Sequence, residues 1–149
     1  MISTFFDSLN TGTVEAPVYD RAVDSATIAS MNKLFFTNGV FADPSTGLQV
    51  TTSTGMNVTV KAGCGHIEGY RAIESNDRTL AVQASNATLD RIDRVVLRLN
   101  LNTAYRSIDL YVLQGTAAAS PVAPTLTRTS SIYEIALADL FLTNAKDFL

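Results

Sequence analysis

The stretch LDRIDRVVLRLNL, Leu89–Leu101, decides how the chain reads. Side chains of a strand alternate between its two faces. One face then carries Arg91, Asp93, Val95, Leu97, Leu99 and Leu101, and the other Ile92, Arg94, Val96, Arg98 and Asn100. The first face is purely apolar from Val95 onward, so the strand is expected to enter the core there. Asp90, Arg91, Asp93 and Arg94 would sit at its mouth as a local network of ion pairs and turn caps. Exposed pairs of that kind contribute only about 0–1 kcal/mol. A partner contact is the second reading of these charges, and catalysis the last.

Period-two patterns recur on both sides of this strand. MNVTVKA (56–62) sends Met56, Val58, Val60 and Ala62 to one face. LQVTT, TLAVQ, SIDLYVLQG and IYEIALADLFL alternate in the same way, and GHIEGYRAIE reads as a strand with a break or close approach at Gly69. Turn compositions such as DPSTG and SNDR separate them. One helix is expected over about 24–38. Asp24 and Ser25 are its candidate N-caps, Ile28, Met31, Leu34 and Phe35 its apolar face, and Asn38-Gly39 its stop. Strands at this spacing without intervening helices predict a mainly β protein. The expected fold is an antiparallel β-sandwich of about seven strands, preceded by one N-terminal α-helix. Residues 1–20 read as an arm and 21–149 as a single domain.

Composition narrows the function classes. The chain has 149 residues and a net charge of −3, with no basic stripe to replace phosphate counterions, so nucleic acid is not an expected partner. No apolar run reaches the length of a membrane span, and the first residues lack the charge and apolar core of a signal peptide. The single cysteine, Cys64, allows no intramolecular disulfide. Cys64, His66 and Glu68 alternate on a candidate strand and would form a row of metal-ligating types. Same-face neighbours on a strand are about 6.5–7 Å apart, too far to close around one ion without a sharp bend. His66 is the only histidine, and no serine sits in a nucleophile elbow. Acids beside arginines are held ionised, the wrong state for a general acid. The sequence therefore predicts no catalytic, cofactor or metal site, and no enzyme.

Four ordered groups of segments carry a family resemblance: TNGVF after a helix, GMNVTVKAGCGHIEGYRA, LDRIDRVVLRLNL, and GTAAASPVAPTLTR followed by YEIALADL. They resemble a domain of tail-tip and baseplate proteins of phages that infect Gram-positive bacteria. That domain is the shoulder of lactococcal siphophage receptor-binding proteins, similar also to a small stand-alone tail protein of a Bacillus siphophage. Gly63, Ile67, Gly69, Tyr70, Arg91, Asp93, Arg94, Gly115, Thr116, Pro121, Pro124, Leu126, Tyr133, Glu134, Leu137 and Ala138 match the pattern, which spans about residues 20–142.

The resemblance implies a β-sandwich and a virion structural protein in the phage tail tip, assembled in the host cytoplasm. Its partners would be other tail or baseplate proteins and copies of itself in a homo-oligomer, a trimer as in the longer relatives. The chain stops at Leu149 without a shaft or head segment, so an adaptor role is expected rather than direct host binding. Interface residues are expected among Phe5, Phe6, Pro121 and Pro124. The alternative is a saccharide-binding module contributing to adsorption on the host cell wall. It would have to use tyrosines such as Tyr105 and Tyr111, since tryptophan is absent.

Overall fold

A computed structural model describes residues 9–19, 23–43, 46–85 and 87–144. Among them lie one helix, α1 (Ser25–Asn32), and nine strands. These are β1 (Gly39–Phe41), β2 (Val50–Thr52), β3 (Asn57–Val60), β4 (Gly63–Ile67), β5 (Tyr70–Glu74), β6 (Arg78–Ala81), β7 (Arg91–Asn100), β8 (Ser107–Leu113) and β9 (Ile132–Leu142). They form three antiparallel sheets of three strands, ordered β1-β4-β5, β2-β3-β6 and β8-β7-β9. The mainly β, helix-first fold expected from the sequence is the one observed.

The two extra strands have a local cause. GHIEGYRAIE is not one strand with a break but the hairpin β4–β5, closed by Glu68 and Gly69 with φ of 52° and 86°. Two consecutive positive φ values match the twist of a two-residue hairpin turn. β1 (Gly39–Phe41) pairs in register on the other side of β4, Gly39 opposite His66 and Phe41 opposite Cys64.

β7 is the central strand of its sheet, and its parity sets the core. Arg91, Asp93, Val95, Leu97 and Leu99 are all buried on one face. Val95, Leu97 and Leu99 pack with Val58 and Val60 of β3, Ile67 of β4, Leu110 of β8 and Ile135 of β9. The Leu97 side chain lies against Gly65, where any Cβ would come within 2.5 Å of it. Each fully buried aliphatic side chain contributes roughly 1.5–3 kcal/mol before entropy is subtracted. β9 accommodates its long pairing with β7 through a bulge. Val95 faces Ala138 while Val96 faces Ala136, which leaves Leu137 as the extra residue.

The helix differs from expectation. Its N-cap is Asp24, whose side chain accepts from the Thr27 N–H at 2.7 Å. It ends at Asn32, however, six residues before the predicted end, and runs on only as a turn through Phe35. The Leu34 and Phe35 N–H groups donate to the carbonyls three residues back, Met31 and Asn32. Ala29 is the buried helical residue, while Leu34 and Phe35 are 80% and 72% exposed. The expected apolar face therefore does not pack on the sheet. Docking comes instead from Gly69, where a Cβ would lie 2.0 Å from the Ala29 carbonyl oxygen, and from the Asn32 amide donating to the Gly69 carbonyl at 2.9 Å.

Substituting Gly69→Ala is expected to lower unfolding free energy by at least about 1–2 kcal/mol. The methyl group would meet the helix backbone, and the positive φ disfavours any Cβ. Urea denaturation measures the loss, and a loss below about 0.5 kcal/mol would contradict this docking mode.

Candidate functional site

The charges of the opening stretch form a lacing along β7 rather than a solvent-exposed mouth. Arg91 is 4% and Asp93 0% exposed. The Arg91 Nε and Nη2 donate to the two Asp93 carboxylate oxygens at 2.7 and 2.9 Å. Its remaining donors reach the carbonyls of Gln83 (2.7 Å) and Ala84 (3.1 Å), while Asp93 Oδ1 also accepts from the Gly115 N–H at 2.8 Å. The expectation of exposed pairing is corrected here. Arg91 and Asp93 continue the core face of Val95, and a buried pair persists only when its hydrogen-bonding capacity is filled. Asp90 does bind a turn: its carbonyl accepts from the Ala118 N–H and its carboxylate from the Asn144 N–H.

The opposite face of β7 works in the same manner. Arg94 stands across from Asp139 of β9 and donates to both its oxygens at 2.6 and 2.9 Å, with a third bond of 2.7 Å to the Pro124 carbonyl. Arg98 stands across from Glu134 and donates to Oε1 at 2.6 Å. Glu134 Oε2 accepts from the Thr127 N–H at 2.6 Å, while the Glu134 N–H donates back to the Thr127 carbonyl. Arg98 also lies over the Tyr111 ring, 4.4 Å from its centre. The fully buried Glu134 was not among the candidate residues. Local alternation did not single it out, because its partner is set by strand register.

Gly115, Pro124 and Thr127 belong to one long connection from β8 to β9, so this connection is pinned to β7 by Asp93, Arg94 and, through Glu134, Arg98. At Gly115 a Cβ would lie 2.0 Å from the Ile92 carbonyl oxygen, which restricts the position to glycine. Pro121 and Pro124 are half-buried, and Val122 between them is 79% exposed. Phe5 and Phe6 lie outside the described residues.

Cys64, His66 and Glu68 are not brought together. Glu68 leaves the strand at the hairpin turn, where it pairs with Lys33 and accepts from the Asn38 amide at 2.7 Å. Asn38 returns the contact by accepting the Glu68 N–H. Among the described residues no cluster of His, Cys, Asp or Glu side chains suits a metal ion. His66 is buried against the Phe36 ring at 5.4 Å, and neither ring nitrogen has a hydrogen-bond partner among the described residues. Leu34, Phe35, Phe36 and Val40, between the helical turn and β1, form an exposed apolar segment of the chain.

Comparison with known proteins adds no relative. No family model, curated protein or solved structure matches this chain. Among the described residues, no helix is long and apolar enough to cross a membrane.

Removing one partner of the buried pair should be severe. Asp93→Ala leaves the Arg91 guanidinium buried and unpaired and is expected to cost about 3–5 kcal/mol in chemical denaturation. Asp139→Ala, at the more exposed pair, is expected to cost about 0–1 kcal/mol. Equal losses would refute the difference in burial.

Acid should weaken the fold through four carboxylates. Hydrogen bonds from Lys33 and then Asn38 hold Glu68 below its ordinary range, and Arg94 does the same for Asp139. The Lys61 ammonium and then the Ala62 N–H lower Asp77, and the Thr27 N–H lowers the cap Asp24. Groups with depressed folded pKa contribute stability that is present above the unfolded value and lost as pH falls through the folded one. The melting temperature is therefore expected to be flat above about pH 5 and to fall below about pH 4.

Proposed function

We propose that this chain is a phage virion structural protein, a tail-tip or baseplate component or adaptor that acts by protein–protein contacts. The observation that carries the reading is the exposed run Leu34, Phe35, Phe36 and Val40, held in place beside the Lys33–Glu68–Asn38 contacts. Clustered large apolar side chains on a thinly charged surface mark an association site rather than solvent-facing decoration. Support also comes from where the family-like residues lie. Arg91, Asp93, Arg94, Gly115, Pro124 and Glu134, six of the residues that carry the resemblance, all take part in the lacing along β7. Assembly as a homotrimer and contacts with further tail proteins belong to this proposal.

A saccharide-binding role is the second reading. Its favouring observation is Tyr105, 66% exposed in the β7–β8 connection and available as a stacking face. Tyr111 suits it less, because Arg98 already covers its ring. Glycan binding lost in Tyr105→Ala and retained in Leu34→Asp/Phe35→Asp would favour this reading.

Multi-angle light scattering of the purified chain at tens of micromolar is expected to give a trimer. The double substitution Leu34→Asp/Phe35→Asp is expected to reduce it to monomer with an unaltered far-ultraviolet circular dichroism spectrum, since both side chains are exposed. A wild-type monomer removes the trimer, and binding of tail proteins unaffected by the double substitution removes this surface.

A further inference from the structure

A cleft of about 470 Å³ opens beside Tyr70, between the start of α1 and the β7–β8 connection. Leu99, Leu101 and Ile108 supply apolar walls, and Arg71, Arg106 and Ser107 supply polar ones. That volume lies within the roughly 300–1,000 Å³ range of small-molecule pockets, which combine apolar walls with a few convergent polar groups.

The charge pattern of this cleft differs from that of the rest of the molecule. Arg78, Arg91, Arg94 and Arg98 each pair with a carboxylate, and Arg128 lies over the Tyr133 ring. The guanidinium groups of Arg71 and Arg106 have neither a carboxylate nor a hydrogen-bonded partner among the described residues, and no acid lines the cleft they share. Among the described residues, a chain of net charge −3 thus keeps two uncompensated guanidinium groups at a single cavity. Guanidinium donors form a fork that matches the paired oxygens of phosphate and carboxylate, and such charge-assisted bonds are about twice as strong as neutral ones.

We propose that this cleft binds a small organic oxyanion, a phosphate monoester or carboxylate on an apolar or ring-shaped body. The anion sits at Arg71 and Arg106, and the body lies along Leu99, Leu101 and Ile108 beside Tyr70. The site is separate from the exposed Leu34–Val40 segment and does not depend on the role proposed for it.

Phenyl phosphate is the probe, titrated into ¹⁵N-labelled protein with phenol as the uncharged control. Saturable shifts of the Tyr70, Arg71 and Ser107 amides are expected with phenyl phosphate and not with phenol. Arg71→Gln/Arg106→Gln should weaken the affinity by about tenfold or more, as loss of charge-assisted bonds requires. Arg128→Gln, at a different surface, should leave it unchanged. Both substituted arginines are exposed, so unaltered amide spectra without ligand confirm that the variants fold. Three results would overturn the proposal: no saturable shift, affinity unchanged in the double variant, or equal affinity for phenol.

Discussion

The buried Arg91–Asp93 pair is the constraint around which the rest of the molecule is arranged. Taking two charges out of water is expensive, and the pair survives because almost every donor and acceptor it carries is used. Those further partners are backbone groups of Gln83, Ala84 and Gly115, on the connections that lead into β7 and away from β8. The ion pair is thereby a joint between chain segments distant in sequence. Arg94–Asp139 and Arg98–Glu134 repeat the device on the other face, with opposite charges set across from each other on β7 and β9. Asp93, Arg94 and, through Glu134, Arg98 of one strand hold a connection that has almost no regular structure of its own.

Much of this was legible in the sequence. Strict alternation in MNVTVKA and SIDLYVLQG placed Val58, Val60 and Leu110 in the core, because a strand with one buried face has no other stable phase. Asp24 was legible as a cap because a short side chain just before a helix satisfies a free N–H. The phase of Arg91 and Asp93 also pointed inward, in step with Val95, Leu97 and Leu99. Their charge argued against burial, and the compensating acceptors are backbone carbonyls and an amide that no composition reveals.

The helix face and Glu134 were not legible, for different reasons. Ile28, Met31, Leu34 and Phe35 recur at helical spacing, but the helix stops at Asn32, whose amide is engaged at the hairpin turn. A close glycine contact and polar bonds replaced the apolar stripe as the means of docking, and this left Leu34 and Phe35 facing solvent. Glu134 lies between Tyr133 and Ile135, where local pattern predicts an outward acid. Only the strand register, and a connection crossing above it, encloses its carboxylate. Residues fixed by long-range register are those that a reading of local periods misses.

The β8–β9 connection carries one further consequence. Its backbone is tied down at Gly115, Ala118, Pro124 and Thr127, yet Val122 within it remains almost fully in water. A tip anchored on both sides has already lost much of the conformational freedom that an ordinary loop surrenders on contact with another body. Its sequence can change at the tip without disturbing any of the anchoring bonds made by backbone atoms. The chain therefore carries an exposed tip on a base held by backbone bonds, so a side chain at the tip can change while the sheet beneath stays the same.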